Sequence, residues 1–279
     1  MRGLLIYDKV GKARNEWFID QLIGSANSLG HELKLAIYDG EINFDTSVDF
    51  AVVRTINPLI NEYFEKFGIP CFNNFKTSKI ANSKWLTYNF SKELGVPVMD
   101  TAKPLSAIEA ADTFPFPFVL KTVDGHGGSE VFLVDNRERC KELFSLFDKN
   151  RLIIQKLSSE PGVDMRVYML AGEVLVAAKR SSECDFRSNF SLGGKAEIDS
   201  VPDSVKKIAR TVCRELEADF VGIDFIRHEG EWILNEIEDV VGTRMIYSLT
   251  DLDPARLYIE HIINKLEKSK ENVCTTNLP

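Results

Sequence analysis

Residues 221–238 read VGIDFIRHEGEWILNEIE, and this stretch decides how the chain folds around its site. Two apolar runs flank His228-Glu229-Gly230-Glu231, a sequence suited to a tight turn between antiparallel strands. With the turn centred on Gly230, Asp224 faces Glu236 across the pair, and Glu238 is the next side chain on that face. Like charges directly opposed on neighbouring strands are unfavourable, so three acids pointing at one spot call for a cation. All-oxygen ligands suit magnesium or manganese. A solvated strand edge would carry the same acids without binding anything. Against that stand Ile223, Phe225, Ile226, Trp232, Ile233, Leu234 and Ile237, which draw both strands into the interior, where unneutralised carboxylates are costly.

The surrounding chain has 279 residues, 44% hydrophobic and 27% charged, with a formal charge of −8. That length accommodates two compact domains or three small ones. The acidic balance argues against nucleic acid and anionic membrane as partners. No stretch reaches the roughly 18 apolar residues of a membrane span, and the apolar run in MRGLLIYDKVGK is too short for a signal peptide, so a cytoplasmic location is expected. Five scattered cysteines without a CxxC pair suggest reduced thiols. Four histidines, none in HExxH, leave zinc hydrolysis and nucleophilic triads without support.

Toward the N-terminus, LLIY, KLAIY and FAVVR alternate with helical patterns, the signature of a small parallel α/β unit. Phe18, Leu22, Ala26 and Leu29 form a helical stripe ending at Gly30. Asn57 and Pro58 open a second helix whose expected buried stripe is Leu59, Ile60, Tyr63, Phe64 and Phe67. A helix capped near Ser83 follows, then strands FPFPFVLKTV and EVFLV around the turn DGHGGSE, and a helix through Cys140, Leu143 and Phe147. From LIIQKL onward strands dominate, interrupted by a helix that Asp203 is expected to cap; a last helix opens at Asp253-Pro254 and an expected frayed tail closes the chain. The resulting division is 1–79, 80–152, 153–267 and a tail of 268–279.

Lys121 ends an apolar strand just before Asp124-Gly125-His126-Gly127-Gly128. A lysine beside a flexible glycine turn can hold a polyphosphate while backbone N–H groups close over it, although most such lysines are simply solvated. The polar loop KRSSECDFRSNFSLGGK is long enough to suggest binding, with Arg187 and Asn189 two apart and on one side of an extended backbone. Asp164 and Arg166 are spaced likewise and read most simply as a structural ion pair.

Taken in order, Lys84, Lys121 with its glycine turn, Gln155-Lys156-Leu157, Asp164-x-Arg166, Asp185 to Asn189 (DFRSN), Gly193-Gly194, Asp224 and Glu236-x-Glu238 resemble the ATP-grasp carboxylate–amine ligases, above all the RimK-type α-L-glutamate ligases. The resemblance implies an ATP-grasp fold: a small parallel α/β domain followed by two α+β lobes clasping ATP. It implies that Lys84 and Lys121 contact the phosphates under Gly125, Gly127 and Gly128. By the same resemblance Gln155, Lys156 and Leu157 pass the adenine, Asp164 lies near the ribose, and Arg187, Ser188 and Asn189 reach the γ-phosphate. Asp224, Glu236 and Glu238 would hold two magnesium ions, with Arg187 and Lys121 as the catalytic pair.

Two departures stand out. Glu238 occupies a position where RimK-type enzymes usually have asparagine, with Asp239-Val240-Val241-Gly242 in place of a serine-proline-glycine turn, and in the adenine linker Lys156 stands where an acidic residue is common. The function implied is ATP-dependent joining of a small-molecule or peptide carboxylate to an amine or amino acid through an acyl phosphate. Arg244 is a candidate anchor for a substrate carboxylate. An ATP-binding regulatory protein and a small-molecule kinase are the competing readings, and homo-oligomerisation stays open.

Overall fold

The computed structural model describes residues 1–182, 185–187 and 195–276. Strand β1 (Arg2–Asp8) leads into α1 (Lys9–Ser28), where the Asp8 carboxylate accepts from Gly11 N and caps the helix. Then come β2 (Glu32–Tyr38), β3 (Phe50–Val53), α2 (Pro58–Lys66) and β4 (Cys71–Phe72). They form one parallel sheet, ordered β2-β1-β3-β4. Asn57 caps α2 as the sequence suggests, but the buried face is narrower than expected: Ile60 and Phe64 are buried, whereas Leu59 and Phe67 are 54% and 59% exposed. Asn61 takes the buried place beside Ile60 and donates to Asn73 O, so the stripe drifts toward α3 (Phe75–Ala81), a helix the apolar pattern did not reveal.

Helix α4 (Lys84–Glu93), capped by Ser83, leads to β5 (Thr101–Ala102) and α5 (Ala107–Thr113). Strands β6 (Phe118–Thr122) and β7 (Val131–Val134), helix α6 (Arg137–Leu146) and β8 (Leu152–Lys156) complete an antiparallel sheet ordered β5-β8-β6-β7. By sheet membership β8 therefore goes with this middle unit, because its backbone pairs with β6 from Leu152 to Lys156, on the far side of the division expected at 152/153.

The third sheet is antiparallel, ordered β11-β10-β9-β12-β13. It contains β9 (Val163–Leu170), β10 (Glu173–Ser181), β11 (Lys195–Ile198), β12 (Phe220–His228) and β13 (Glu231–Glu238). Helix α7 (Asp203–Leu216) covers one face with Val205, Ala209, Val212 and Leu216. Asp203 is its first helical residue rather than its cap; Pro202 holds the cap position, and Asp203 instead pairs with Lys206 one turn on. Helices α8 (Arg244–Leu249) and α9 (Pro254–Thr276) follow, and α9 carries helical backbone through most of the stretch expected to fray.

α9 packs against α1, so one apolar cluster joins Phe18 and Leu22 of the N-terminal sheet's helix to Tyr258, Ile259 and Ile262. The first and last segments of the chain share a core. That seam becomes important for the site. Among the described residues no helix is long and apolar enough to cross a membrane.

Candidate active site

The turn joining β12 and β13 is two residues long, Glu229 and Gly230, both with positive φ (52° and 80°). A turn of that length would set Asp224 opposite Asn235. One extra residue in β13 corrects the register: Phe225 pairs with Leu234, yet Asp224 pairs with Glu236 and Gly222 with Glu238. This bulge at Asn235 produces the expected facing of Asp224 and Glu236 by a different route from a turn centred on Gly230, and it aims Asn235 Oδ1 at Lys121 Nζ, 3.3 Å away.

The three carboxylates meet basic groups. Asp224 accepts from Arg166 Nε and Nη2 at 2.8 and 2.7 Å and from Arg180 Nη2 at 2.9 Å. Glu238 accepts from Arg166 Nη2 at 2.5 Å. Asp164 does not pair with Arg166, as its spacing suggested, but with Arg180 at 2.6 and 2.8 Å. The cause is sheet order: Arg166 lies directly across from Asp224 and Arg180 directly across from Asp164, so cross-strand neighbours outcompete residues two apart on one strand. Burial alone would raise the Asp224 carboxyl, and the Arg166 and Arg180 guanidiniums more than reverse it, holding it well below its ordinary 3.8. Burial raises Glu238 and the nearby Asp224 charge adds to that, only partly offset by Arg166.

Glu236 faces the lysines. Its oxygens lie 3.5 Å from Lys84 Nζ and 3.6 Å from Lys121 Nζ. Burial works against the carboxylate, and the two ammonium groups pull it below its usual range. Lys121 is 4% exposed; burial pushes its ammonium down, with Glu236 opposing. Lys84 stands at the first position of α4, and its backbone N–H binds Val123 O at 2.8 Å, docking the helix start where β6 ends. Its ammonium also donates to Gly125 O, so the lysine bridges hairpin and glycine turn.

That turn covers the cleft. Gly127 and Gly128 have φ of 67° and 77°, a region costly for other residues, and a Cβ on Gly125 would stand 2.4 Å from Thr122 Oγ1. Arg187 Nη1 donates to Gly128 O at 2.8 Å while its guanidinium pairs with Asp185 at 2.7 Å. Ser188, Asn189, Gly193 and Gly194 lie outside the described residues.

Between turn and hairpin is a cleft of about 820 Å³, its open mouth included. Lys84, Lys121, Gly127, Gly128, Gln155, Lys156, Leu157, Asp164, Arg187, Asp224, Glu236 and Glu238 line it together. Gln155 turns its amide away to Thr101 Oγ1 at 3.2 Å, and Lys156 N–H is taken by Asp100 O at 3.0 Å. The Leu157 N–H has no protein partner among the described residues. Arg180 and Asn235 were missed as site residues. Arg180 follows a continuous apolar run, Val174 to Ala178, packed on both faces of the sheet, so alternation gave no signal for it, and the bulge that turns Asn235 inward has none either. Arg244 is exposed at the start of α8.

Magnesium is implied by the family resemblance, and the donor chemistry fits, since three carboxylates on adjoining strands line the cleft floor. Among the described residues no three acids or histidines gather into a ready metal cage. The acids here face arginine and lysine.

A family model for the RimK-like ATP-grasp domain matches residues 94–262, more than half of the chain. The chain belongs to the RimK-like ATP-grasp family. Similar to this RimK-like protein is an uncharacterized MG011 homolog of Mycoplasma pneumoniae, 26% identical over 275 residues, spanning 93% of this chain and 91% of the relative. A probable alpha-L-glutamate ligase of Histophilus somni strain 129Pt is 27% identical over 259 residues, 89% of this chain and 84% of its own. Among solved structures, the D-alanine–D-alanine ligase of Bacillus anthracis superposes with a TM-score of 0.76 at 15% identity, covering 98% of this chain and 99% of that one. That likeness shows the fold, and the RimK-like chain is an ATP-dependent, ADP-forming ligase of carboxylates and amines.

Proposed function

We propose that this ligase uses ATP and magnesium or manganese to convert a substrate carboxylate into an acyl phosphate, which an amine then opens to an amide. A carboxylate oxygen attacks the γ-phosphorus, the bond to the β,γ-bridging oxygen breaks, and ADP leaves. The amine nitrogen next bonds to the acyl carbon, the carbon–oxygen bond to phosphate breaks, and the nitrogen gives up a proton to solvent. Phosphoryl transfer needs positioning and charge neutralisation more than a protein nucleophile. The convergence of Lys84, Lys121 and Arg187 with three carboxylates on one cleft supports this reading above any other observation.

Lys121 and Lys84 would neutralise phosphate oxygens, with Arg187 meeting the transferring group. The glycine turn would close over the phosphates, and the Leu157 N–H, without a protein partner among the described residues, is suited to the adenine edge. Asp224, Glu236 and Glu238 would hold the divalent ion, which when bound neutralises charge on the phosphates. The name of the Histophilus relative points to L-glutamate as one substrate worth testing first. Release of ADP and phosphate, with an amide detected by mass spectrometry, is the expected outcome when L-glutamate is supplied with candidate acids or amines. Loss of that release in Asp224→Asn with Glu236→Gln is expected as well. Unchanged turnover in the double variant refutes the site.

A further inference from the structure

The hairpin that carries the acids has an open end, and residues of the N-terminal sheet close it. Gly222 and Glu238 form the last register pair between β12 and β13; beyond them the strands part. At that point Asn73, just past β4, inserts its side-chain amide. Its Oδ1 accepts from Asp219 N and Phe220 N at 2.7 and 2.8 Å, and its Nδ2 donates to Phe220 O at 2.8 Å. The same Nδ2 donates to Asp239 Oδ1 at 2.7 Å. One amide thus ties the first residue of β12 to the residue after Glu238.

Arg54, just past β3, takes the next anchor. Its Nη2 donates to Val241 O at 2.7 Å, and its guanidinium lies over the Phe18 ring, 5.4 Å from the centroid. It is 5% exposed and has no ion pair among the described residues, although buried charges are ordinarily paired. What it holds is the main chain of the loop. Val241 in turn covers Gly222: a Cβ there would come within 2.6 Å of Val241 Cγ2. Gly222 is the register partner of Glu238, so the position set by Arg54 is passed by direct packing to the strand pair beside that acid.

We propose that Arg54 and Asn73 are positioning residues for the metal site: the N-terminal sheet locks the open end of the hairpin and so fixes where Glu238 presents its carboxylate. This rests on the reading of Glu238 as a metal ligand. It gives the N-terminal domain a part in phosphoryl transfer without any contact with the nucleotide, and it explains the replacement loop Asp239 to Gly242 as a docking element for Asn73 and Arg54. Groups that orient metal ligands from outside typically change metal affinity by about 10- to 100-fold when removed.

The test is Mn2+ binding followed by electron paramagnetic resonance in the presence of a non-hydrolysable ATP analogue. Full-length wild type, Arg54→Met, Arg54→Lys, Glu238→Gln and the Arg54→Met/Glu238→Gln pair are compared. Arg54→Met is expected to weaken Mn2+ binding about tenfold or more while leaving metal-free binding of the analogue intact. Arg54→Lys, which keeps the charge and a donor, is expected to recover most of the affinity. In the pair, the two losses should fall well short of multiplying, because both act on one ligand. If Arg54→Met fails to fold, Arg54→Gln replaces it with the same expectation. Mn2+ affinity within twofold of wild type in folded Arg54→Met or Arg54→Gln, with Glu238→Gln impaired, overturns the inference alone. A wild type that binds no Mn2+ with the analogue overturns the metal reading and this inference with it.

Discussion

The floor and the roof of the cleft hold their charged groups in opposite ways. On the floor, Arg166 and Arg180 are buried and bound to Asp224, Glu238 and Asp164, charge against charge in a cross-strand lattice. On the roof, Lys84 and Arg187 pair with Glu236 and Asp185 but also donate to main-chain carbonyls of the glycine turn, Gly125 O and Gly128 O. A guanidinium on a buried carboxylate is expensive to remove, whereas a cation on a carbonyl can exchange it for a phosphate oxygen at small cost. The floor is set by folding; on the proposed reading, the roof would change partners when a nucleotide arrives.

Four outcomes would sharpen or break that contrast. The largest is on the floor: Asp224→Asn leaves two buried guanidiniums undercompensated and is expected to lower stability by about 3–5 kcal/mol, measured by urea unfolding. A loss below about 1 kcal/mol would mean the lattice is no more rigid than a surface pair. The same pairing predicts the acid limb. Asp224 has a folded-state value below its unfolded one, so its contribution is complete above the ordinary carboxylate range and is lost as pH falls toward the depressed folded value. Glu238, shifted upward, acts with the opposite sign: its cost is present at neutral pH and is relieved on acidification. Unfolding free energy measured from about pH 6 to 3 should therefore fall less steeply in Asp224→Asn than in wild type.

Roof changes should be smaller in stability and larger in binding. Gly127→Ala imposes a positive φ on alanine and is expected to cost about 1 kcal/mol while weakening binding of an ATP analogue. Arg151 pairs with Asp124 at the base of the turn, at 2.8 Å and largely in solvent. Arg151→Ala should change the melting free energy by less than about 1 kcal/mol. If Arg151→Ala proves more damaging than Asp224→Asn, the division into rigid floor and adaptable roof is wrong.

How much of this was legible in the sequence depended on the range of the interaction. The hairpin could be read because turn chemistry and alternation are local: Gly230, the apolar flanks and the spacing of three acids all lie within eighteen residues. Even there, the facing of Asp224 and Glu236 depends on a bulge at Asn235 that alternation does not announce. The glycine turn, the position of Lys84 at a helix start and the order of the three units were visible for the same local reason. The contacts of Arg166 and Arg180 with Asp224 were not, since they depend on β9 pairing with β12 across tens of residues; the Arg180–Asp164 pair, although inside the β9–β10 hairpin, depends on a register shift between Val174 and Val176 that alternation does not announce. Asn73 and Arg54 gave no signal at all. An asparagine after a short strand and an arginine at a strand end are ordinary, and long-range packing, α1 against α9 and α3 against β13, brings them onto the hairpin.

The central claim is that the floor acids serve a divalent ion on the nucleotide. It is tested most directly by calorimetric titration of a non-hydrolysable ATP analogue into wild type and Glu236→Gln, with and without Mg2+. Wild type should bind about tenfold or more tightly with Mg2+ than without it, and Glu236→Gln should keep metal-free binding but lose that enhancement. Equal affinity with and without Mg2+ in wild type would contradict the account.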